Sequence, residues 1–585
     1  MSSNAKHLVF SLNKETWDSS KNYILLDESF IETIPVNRKS EIKYEVAPNL
    51  FNNQTEKDLA LIDLKKIEVD LLKSVVTILN DYHKVNYSER FWKILLGHWM
   101  RVYIQQIYYK AKTIENICTQ NYFLEAETIE ALDTLFTSRN LNDFYAYCND
   151  AHWNFRINSK IFLKIKSKKN FIEIAVKKQN TPLVVAKKEK YNPVKLKIKK
   201  IFAYMINKVN GNNSAFIVST YLPRFEEIKL NLLLKQLPSF YERENLNIEL
   251  VPNHAVRAEI IANLNIPGKN QIEKIIYELL FEELPIIYLE RFEELNKFME
   301  SLKFPTKPKF IFTSSNFVQD DAFMLWSALQ VEKGTKYFIG QHGNNYGTNR
   351  YMYKTIEQEI SDKFLTWGWS YGSSEELATF NFKVAGKQEG VYNPKGGLLL
   401  VEAPLNDHLT SFFNNRIDLD DYFLLQNYFI SKLHLQIQNS IVIRTYLHNV
   451  NMDTHWHSIN TNLEINSISN FRELVPRNRL TVFTYDSTGI LENLALNTPT
   501  MAYIPNDLNN ILDQALPYYN LLIKAGILHI SPKSLAEKIN QVWTGIEEWW
   551  LTPEVQDARN EFCLKYSRVS KNPALELKTI LLQNI

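Results

Sequence analysis

The feature that most constrains the fold is a glycine-rich turn placed directly after a short apolar run. Residues 337–339 (YFI) have the pattern of a buried strand end, and residues 340–347 (GQHGNNYG) follow at once. Glycine lets a backbone turn sharply and come close to a ligand. Ligands of open α/β sheets bind at the carboxyl ends of strands. We therefore expect His342 to lie at the edge of a ligand-binding crevice.

The same succession of strand, loop and helix continues on both sides of this turn. Short apolar runs predict strands at 7–11, 23–27, 214–223, 246–252, 308–316, 396–402, 440–446, 480–484 and 500–504. Helical spacing predicts helices over about 55–140, 231–237, 271–303 with a break at Pro285, 320–331, 422–438, 490–496 and 534–543. This alternation is typical of doubly wound α/β domains.

The length of the chain predicts more than one domain, because 585 residues exceed what a single hydrophobic core normally supports. We place the boundary near residue 384. Residues 1–383 would form a first α/β domain with helical and lysine-rich insertions. Residues 384–585 would form a second α/β domain, whose final helices could cross back to the first.

The composition indicates a cytoplasmic protein. Hydrophobic residues make up 45% of the chain and charged residues 23%, which is ordinary for a globular protein. No apolar run approaches the roughly 20 residues that span a bilayer, and the first residues lack the apolar core of a signal peptide. The three widely spaced cysteines, Cys118, Cys148 and Cys563, predict buried free thiols in a reducing compartment.

A lysine-rich block interrupts this ordinary composition. From Lys160 to Lys200 there are 14 lysines and two glutamates, a local charge of +12 on a chain whose net charge is +2. The lysines alternate with apolar residues, so one interpretation is a strand pair with a lysine-rich outer face. The other is contact with an anionic membrane surface, at the inner face of the plasma membrane, or with an acidic glycan. Nucleic acid is not expected, since arginine and a reading module are both missing.

A second polar cluster follows the predicted strand at 480–484. Asp486, Ser487, Thr488 and Gly489 form a turn before a predicted helix, where free backbone N–H groups favour a phosphate. Glu492 lies one helical turn further on, where its carboxylate could accept bonds from ribose hydroxyls. The alternative is that Ser487 only caps the helix and Glu492 is solvated.

Two further basic residues follow the predicted strand at 440–446. Arg444 offers a planar fork that matches a phosphate or carboxylate, and His448 could donate to a phosphate. A surface arginine and a loop histidine are the alternative. His455 and His457 lack a third ligand at a suggestive spacing, so we predict no metal site.

His342 has the surroundings of a general base. The glycines and amide side chains around it disfavour simple core packing, and an imidazole near its normal pKa can remove a proton from a sugar hydroxyl. We expect the loop around it, including Gly343 and Asn344, to face the Asp486 turn across a cleft between the two domains.

Together these segments resemble a family of transferases found in bacterial surface-carbohydrate and O-antigen gene clusters. The resemblance covers most of the chain and is carried in order by residues 90–92 (RFW), 95–99 (LLGHW), 341–343 (QHG), 362–369 (DKFLTWGW) and 486–492 (DSTGILE). More distantly, the chain is similar to GT-B-like enzymes of capsule and teichoic-acid synthesis, including capsule Kdo transferases and CDP-glycerol glycerophosphotransferases.

The resemblance implies a GT-B-like fold, in which two Rossmann-like α/β domains face each other across a cleft, with helical additions in the N-terminal half. It implies that His342, with Gln341 beside it, serves catalysis on the acceptor side. Arg444, His448, Ser487 and Thr488 would hold the donor phosphates, although residues 444–448 read RTYLH where the distant enzymes have an Arg-Pro-His-Pro-type string.

The activity implied is transfer of a sugar, or a sugar-like phosphorylated group, from a CMP- or NDP-linked donor to a surface glycan or lipid-linked glycan. It requires neither a metal nor another cofactor. Two alternatives stay open at the level of sequence. One is a nucleotide-sugar epimerase, which can share this architecture, and the other is a non-catalytic glycan-binding scaffold.

Overall fold

The strands of the chain form three sheets, all of them parallel, in the part that the structure describes. The structure is a computed structural model. It describes residues 6–10, 17–26, 30–31, 34, 38–51, 53–120, 124–129, 137–165, 171–176, 203–211, 213–244, 246, 251–264, 269–352, 354–403, 419–445, 456–457, 459, 463–467, 470–504 and 508–585. The predicted α/β class is confirmed.

The first sheet belongs to the N-terminal third of the chain and has the strand order β3-β2-β1-β4-β5. Its strands are β1 (Lys6–Val9), β2 (Asn22–Leu25), β3 (Lys43–Val46), β4 (Leu124–Ile129) and β5 (Phe171–Val176). The strands predicted at 7–11 and 23–27 correspond to β1 and β2.

The second sheet carries the glycine-rich turn and has the order β10-β9-β8-β7-β6. Its strands are β6 (Phe216–Ile217), β7 (Phe310–Thr313), β8 (Lys336–Gly340), β9 (Lys363–Thr366) and β10 (Glu376–Ala378). β7 is buried at all four positions. Helices cover both faces of a parallel sheet, which explains why this strand is a continuous apolar run.

The third sheet has the order β13-β12-β11-β14-β15-β16. Its strands are β11 (Leu398–Val401), β12 (Ile441–Arg444), β13 (Glu464–Asn466), β14 (Leu480–Phe483), β15 (Thr500–Tyr503) and β16 (Leu528–His529). Strands were predicted for four of these, β11, β12, β14 and β15, from their apolar runs.

Helices connect and cover the sheets. In chain order they are α1 (Gln54–His83), α2 (Glu89–Thr119), α3 (Leu141–Cys148), α4 (Ala151–Ile165), α5 (Arg224–Leu233), α6 (His254–Ala262), α7 (Gln271–Glu283), α8 (Phe292–Ser301), α9 (Asp321–Glu332), α10 (Ile356–Ile360), α11 (Leu419–Lys432), α12 (Leu435–Gln438), α13 (Phe471–Leu474), α14 (Thr488–Ala495), α15 (Leu516–Lys524), α16 (Pro532–Val542), α17 (Ile546–Trp550), α18 (Pro553–Tyr566) and α19 (Pro573–Gln583).

Helix α2 runs through the centre of the N-terminal half. The Ser88 hydroxyl caps it by accepting a bond from the Phe91 N–H at 3.1 Å. Trp92 and Trp99 are fully buried, together with most of the apolar face between them. Burying two such large aromatic side chains contributes several kcal/mol to the free energy of unfolding, so this helix is part of the hydrophobic core.

Three predictions about element boundaries were wrong. The helical pattern predicted up to residue 140 ends at Thr119, and residues 124–129 form β4 between β1 and β5. Pairing on both sides decides this short segment, whose own strand propensity is weak. The helix predicted from 231 begins at Arg224. The helix predicted from residue 422 begins at Leu419, as α11.

The lysine-rich block is described only in part. Residues 160–165 end α4, and residues 171–176 form β5, which pairs in parallel with β4. Residues 166–170 and 177–200 lie outside the described residues, as does most of the strand predicted at 246–252. Whether the block contacts a membrane stays a prediction.

The end of the chain returns to the second sheet. Ala574, Leu577 and Leu581 of α19 lie in one buried cluster with Leu230 of α5 and Phe310 of β7. Just before α19, the Arg568 N–H donates to the Trp367 carbonyl at 2.9 Å. The boundary placed near residue 384 falls between β10 and β11, and the division into two domains there stays a prediction.

Two predictions from composition are also addressed by the structure. Cys118, Cys148 and Cys563 form no disulfide bond among the described residues and are buried, as predicted. Within the described ranges, no helix combines the length and the apolar character needed to cross a membrane.

Candidate active site

His342 lies just beyond the carboxyl end of β8, which runs between β7 and β9 near the middle of the second sheet. Gly340 ends that strand in a tight space. A Cβ atom there would stand 2.4 Å from Ser314 Oγ and 2.5 Å from the ring of Phe382. At Gly347, φ is +69° and a Cβ would stand 2.4 Å from the Trp369 ring. These two positions therefore require glycine, and they fix where the His342 loop leaves and rejoins the fold.

The segment 362–369 supports this loop from below. Asp362 Oδ2 accepts a hydrogen bond from the Tyr337 N–H at 2.8 Å, at the start of β8. The same carboxylate pairs with Arg90 of α2, with 2.9 Å between Arg90 Nη2 and Asp362 Oδ2. Two of the motifs that carry the family resemblance, around residues 90 and 362, thus contact each other and tie α2 to the sheet that bears His342.

Gln341 is part of the same support. Its Oε1 accepts bonds from the Trp367 N–H at 2.9 Å and from Trp369 Nε1 at 2.8 Å. Its Nε2 donates to the Gly343 carbonyl at 2.9 Å. The side chain is 1% exposed. These contacts give Gln341 a supporting role in the loop, and its role beside His342 in catalysis stays a prediction.

The structure brings the His342 loop and the Asp486 turn together. The Asn344 N–H donates to Thr488 Oγ1 at 3.0 Å, and Asn344 Nδ2 donates to Asp486 Oδ1 at 2.6 Å. Asp486 Oδ2 also accepts a bond from the Tyr519 hydroxyl at 3.1 Å. The carboxyl ends of β8 and β14 therefore face each other, which is the arrangement expected of a GT-B-like architecture.

His342 is the outer member of a buried hydrogen-bonded chain. Its Nδ1 lies 3.2 Å from the Tyr346 hydroxyl, and that hydroxyl donates to Glu357 on α10. A hydroxyl has one proton to give. Because Tyr346 gives it to Glu357, its oxygen accepts from the Nδ1–H of His342. The neutral imidazole then keeps its lone pair on Nε2, which is the form that a general base needs.

The pKa shifts of these hydrogen-bonded residues are consistent with that assignment. Burial raises the pKa of Tyr346 well above its ordinary value, so its hydroxyl keeps the proton. Burial alone would raise the pKa of Glu357, but His98, the bond from Tyr346 and His342 together hold it below its usual value. Burial lowers the pKa of His342 and lowers that of His98 to about 4. At neutral pH the carboxylate is ionised and both imidazoles are neutral.

An aromatic side chain stacks against the imidazole. The rings of Tyr221 and His342 are 19° from parallel, with 6.0 Å between their centroids. Tyr221 follows β6 and is 44% exposed. Its φ is +63° and that of Ser219 is +50°, left-handed values that cost a non-glycine residue of order 1 kcal/mol. The backbone is strained where it holds this ring beside His342.

The predicted phosphate-binding turn has partners within the protein. Ser487 caps α14, with its hydroxyl accepting from the Gly489 N–H at 3.1 Å, and it donates to the Tyr485 hydroxyl at 3.1 Å. The Thr488 hydroxyl accepts from Asn344, as described above. The capping role that the sequence left open for Ser487 is therefore present in the structure.

Glu492 is buried and paired, which corrects the alternative that it is a solvated helix residue. Its Oε2 lies 2.9 Å from Arg472 Nη2, and its Oε1 lies 3.8 Å from Lys383 Nζ. Both carboxylate oxygens thus have cationic neighbours in place of the ribose hydroxyls that the sequence suggested.

Arg444 ends β12, two strands away from the Asp486 turn. It is in register with Val401 of β11, which is in register with Phe483 of β14. Adjacent strands lie about 4.8 Å apart, so about 10 Å separates the backbone of Arg444 from the start of the turn. His448 lies outside the described residues.

The sequence analysis missed Tyr221, Tyr346, Glu357 and Lys383. Tyr346 has a sequence signal, since it belongs to the glycine-rich turn, and the other three residues have none. The partnership of Glu357 with Tyr346 depends on how α10 packs.

Comparison with known proteins gives a family and several distant structures. No curated protein sequence matches the chain. Among solved structures, the wall teichoic acid polymerase TagF is 9% identical, over 67% of this chain and 94% of that one, with a TM-score of 0.28. The spinosyn rhamnosyltransferase SpnG, bound to spinosyn aglycone, is 10% identical over 50% and 77%, with a TM-score of 0.29. UGT71G1 of Medicago truncatula, bound to UDP-glucose, is 11% identical over 81% and 94%, with a TM-score of 0.21.

At TM-scores this low, the three similarities carry no argument about this chain. The sequence profile of a transferase family is a different kind of match, because it extends over residues 6–581, almost the whole chain, and includes every motif described above. The chain belongs to the LIC12162 family of transferases.

Proposed function

We propose that the chain is a glycosyltransferase that moves a sugar from a nucleotide-activated donor onto a bacterial surface glycan or its lipid-linked precursor. The observation that carries the proposal is the buried chain from His342 through Tyr346 to Glu357. It presents a neutral imidazole with a free Nε2 at the carboxyl end of a central strand. An acceptor hydroxyl needs such a base when it attacks the donor sugar.

The side of the site opposite His342 has features that favour binding of a nucleotide-activated donor. The Asp486 turn places the start of α14 opposite His342, and helix N-termini favour negatively charged groups. Arg444 ends a strand of the same sheet edge. With the acceptor bound on the His342 side and the donor on the Asp486 side, the reacting groups would be held close together. Holding them in this way supplies much of the rate enhancement of such transfers.

A membrane-associated acceptor suits the surface next to the lysine-rich block. Tyr204, Met205 and Val209, just after the block, are each at least half exposed. Exposed apolar side chains beside a basic segment favour the surface of an anionic bilayer. We place the protein in the cytoplasm at the inner face of the plasma membrane.

The first experiment identifies the donor. A ligand that binds only the folded state raises the melting temperature by mass action, so CMP-, CDP-, UDP-, GDP- and dTDP-sugars are screened by thermal shift. We expect one nucleotide class to raise the melting temperature. If none does while a glycan does, the chain is a scaffold. If a nucleotide sugar is converted without an acceptor, it is an epimerase.

The second experiment tests the base. His342→Ala is expected to reduce turnover by about 10²–10⁴-fold with little change in donor affinity. His342→Gln keeps the size of the side chain but not the base, and should be nearly as inactive. His434→Ala, at an exposed histidine, is the matched control. Near-normal turnover in His342→Ala would show that this histidine is structural.

A further inference from the structure

A cluster of cationic side chains lies where the second and third sheets meet. Lys383 belongs to the short turn Phe382–Val384, after β10, while Arg472 and Glu492 belong to α13 and α14. Glu492 is the only carboxylate among the described residues that pairs with either cation, with 2.9 Å to Arg472 Nη2 and 3.8 Å to Lys383 Nζ. It is 7% exposed.

Lys387 adds a third positive charge to this cluster. Gly386, with φ at +66°, turns the chain between the two lysines, and a Cβ there would stand 3.0 Å from Glu226 Oε1. Burial lowers the pKa of Lys387, and the nearby charges of Arg472 and Lys383 lower it further. Lys387 forms no ion pair with any described residue. Among the described residues, two of the three cations therefore pair with one carboxylate and Lys387 pairs with none, which leaves an excess of positive charge.

The cluster is next to His342. The Lys383 ammonium lies 4.9 Å from the centroid of the Tyr221 ring, and the same ring stacks on the imidazole of His342. The charge of Lys383 also contributes to the lowered pKa of His342, after the larger effect of burial. One aromatic ring, held on a strained backbone, thus separates the base from the cationic cluster.

We propose that Lys383, Lys387 and Arg472 form an anion site that takes a phosphoryl group of a substrate. A dianionic phosphoryl group would offset this excess of positive charge. The Arg472 fork can give it paired hydrogen bonds and the lysines act as point charges. Partial burial strengthens these attractions relative to water. This proposal deepens the proposed function. Only the identity of the substrate rests on that function, and the anion site itself does not.

The phosphoryl group has two sources in a transfer from a nucleotide-activated donor. It is either the diphosphate of the donor or a phosphate on the acceptor. Ligand binding here would span both halves of the chain, since Lys383 and Lys387 follow the second sheet and Arg472 lies on α13, between two strands of the third. The bound anion would hold the two carboxyl edges together around His342.

The test titrates pyrophosphate into the whole protein, by calorimetry and thermal shift at constant ionic strength, with acetate as the reference anion. We expect pyrophosphate to bind and to raise the melting temperature. Lys387→Gln should weaken its affinity about tenfold or more, the usual effect of losing one charge-assisted contact. Lys297→Gln, at an exposed lysine, is the matched control. Lys387 has no carboxylate partner to leave unpaired, so this variant should fold.

Titration with CDP then identifies the source. If Lys387→Gln weakens CDP and pyrophosphate equally, the donor diphosphate occupies the site. If it weakens pyrophosphate alone, the phosphate belongs to the acceptor. Pyrophosphate that acts no differently from acetate, or equal affinities in Lys387→Gln and Lys297→Gln, would overturn the proposal. A protein that binds pyrophosphate at this site but transfers no sugar would refute the proposed function and leave the site in place.

Discussion

Replacing Glu357 by glutamine tests the assignment of His342 most sharply. In the native chain, ionised Glu357 accepts the hydrogen bond that the Tyr346 hydroxyl donates, and the Tyr346 oxygen in turn accepts from Nδ1–H of His342. Glutamine has nearly the same size, but its NH₂ group can donate to Tyr346. Tyr346 is then free to donate to Nδ1, which leaves the imidazole proton on Nε2. In that tautomer the nitrogen that faces the reaction cannot accept a proton.

The size of the effect follows from the bond that is lost. A hydrogen bond to a charged group contributes about 1.5–3 kcal/mol, and each 1.4 kcal/mol is a factor of ten in an equilibrium. The competent tautomer of His342 should therefore be depleted about 10–150-fold in Glu357→Gln, with an equal fall in turnover. This is less than the loss expected on removing the base itself, because a fraction of the molecules retains the productive form.

The assay is turnover as a function of pH, with folding checked by circular dichroism. The negative charge of Glu357 raises the pKa of His342 against the larger lowering effect of burial. Removing that charge lowers the pKa further, so the acid limb of the profile should move to lower pH while the plateau falls. A merely structural role would not move the limb. An unchanged plateau, or a limb displaced to higher pH, would refute the reasoning, and Tyr346→Phe should lower the plateau with a smaller displacement.

Three further predictions concern the opposite half and the lysine-rich block. Alanine at both Ser487 and Thr488 should weaken nucleotide binding about tenfold or more; Ser531→Ala, which removes the cap of α16, is the control for lost stability, and an unchanged nucleotide titration would contradict the assignment. Burial raises the pKa of Asp486 to about 6, so the folded state takes up this proton before the unfolded chain does, and the cost of the charge disappears as pH falls from about 6 to about 4. Asp486→Asn should therefore lack that pH dependence in thermal unfolding; an equal pH dependence in both proteins would contradict it. If the block binds membranes, the protein should sediment with anionic vesicles and be released by salt, since the Debye length falls to about 3 Å at 1 M; equal binding to neutral vesicles would contradict it.

The strands that position the site could be predicted because buried strands of this kind are continuous apolar runs in the sequence. β7 is buried throughout, and it was predicted from its apolar run alone. β4 shows where this fails, since residues 124–129 (LEAETI) have no such run and become a strand only by pairing with β1 and β5. A pattern read along the chain does not contain that pairing.

The site shows the same division between local and distant information. The turn at 340–347 was recognisable because glycine indicates a turn at its own position, without any knowledge of distant contacts. The contacts of Gln341 could not be predicted, since the two tryptophans that donate to its amide oxygen lie more than 25 residues away. The partnership between Lys383 and Glu492 spans more than 100 residues and two sheets, and no local spacing announces it.

The two candidate anion sites differ in what binding must displace. At the Asp486 turn, the hydroxyls of Ser487 and Thr488 already have partners, so a phosphate there exchanges one set of hydrogen bonds for another. Such an exchange yields a net gain of only about 0.5–1.5 kcal/mol per bond. At the cluster of Lys383, Lys387 and Arg472, the Lys387 ammonium forms no ion pair with a described residue, so its charge has no such partner to lose. We therefore expect a phosphoryl group to gain more free energy at the cluster than at the turn.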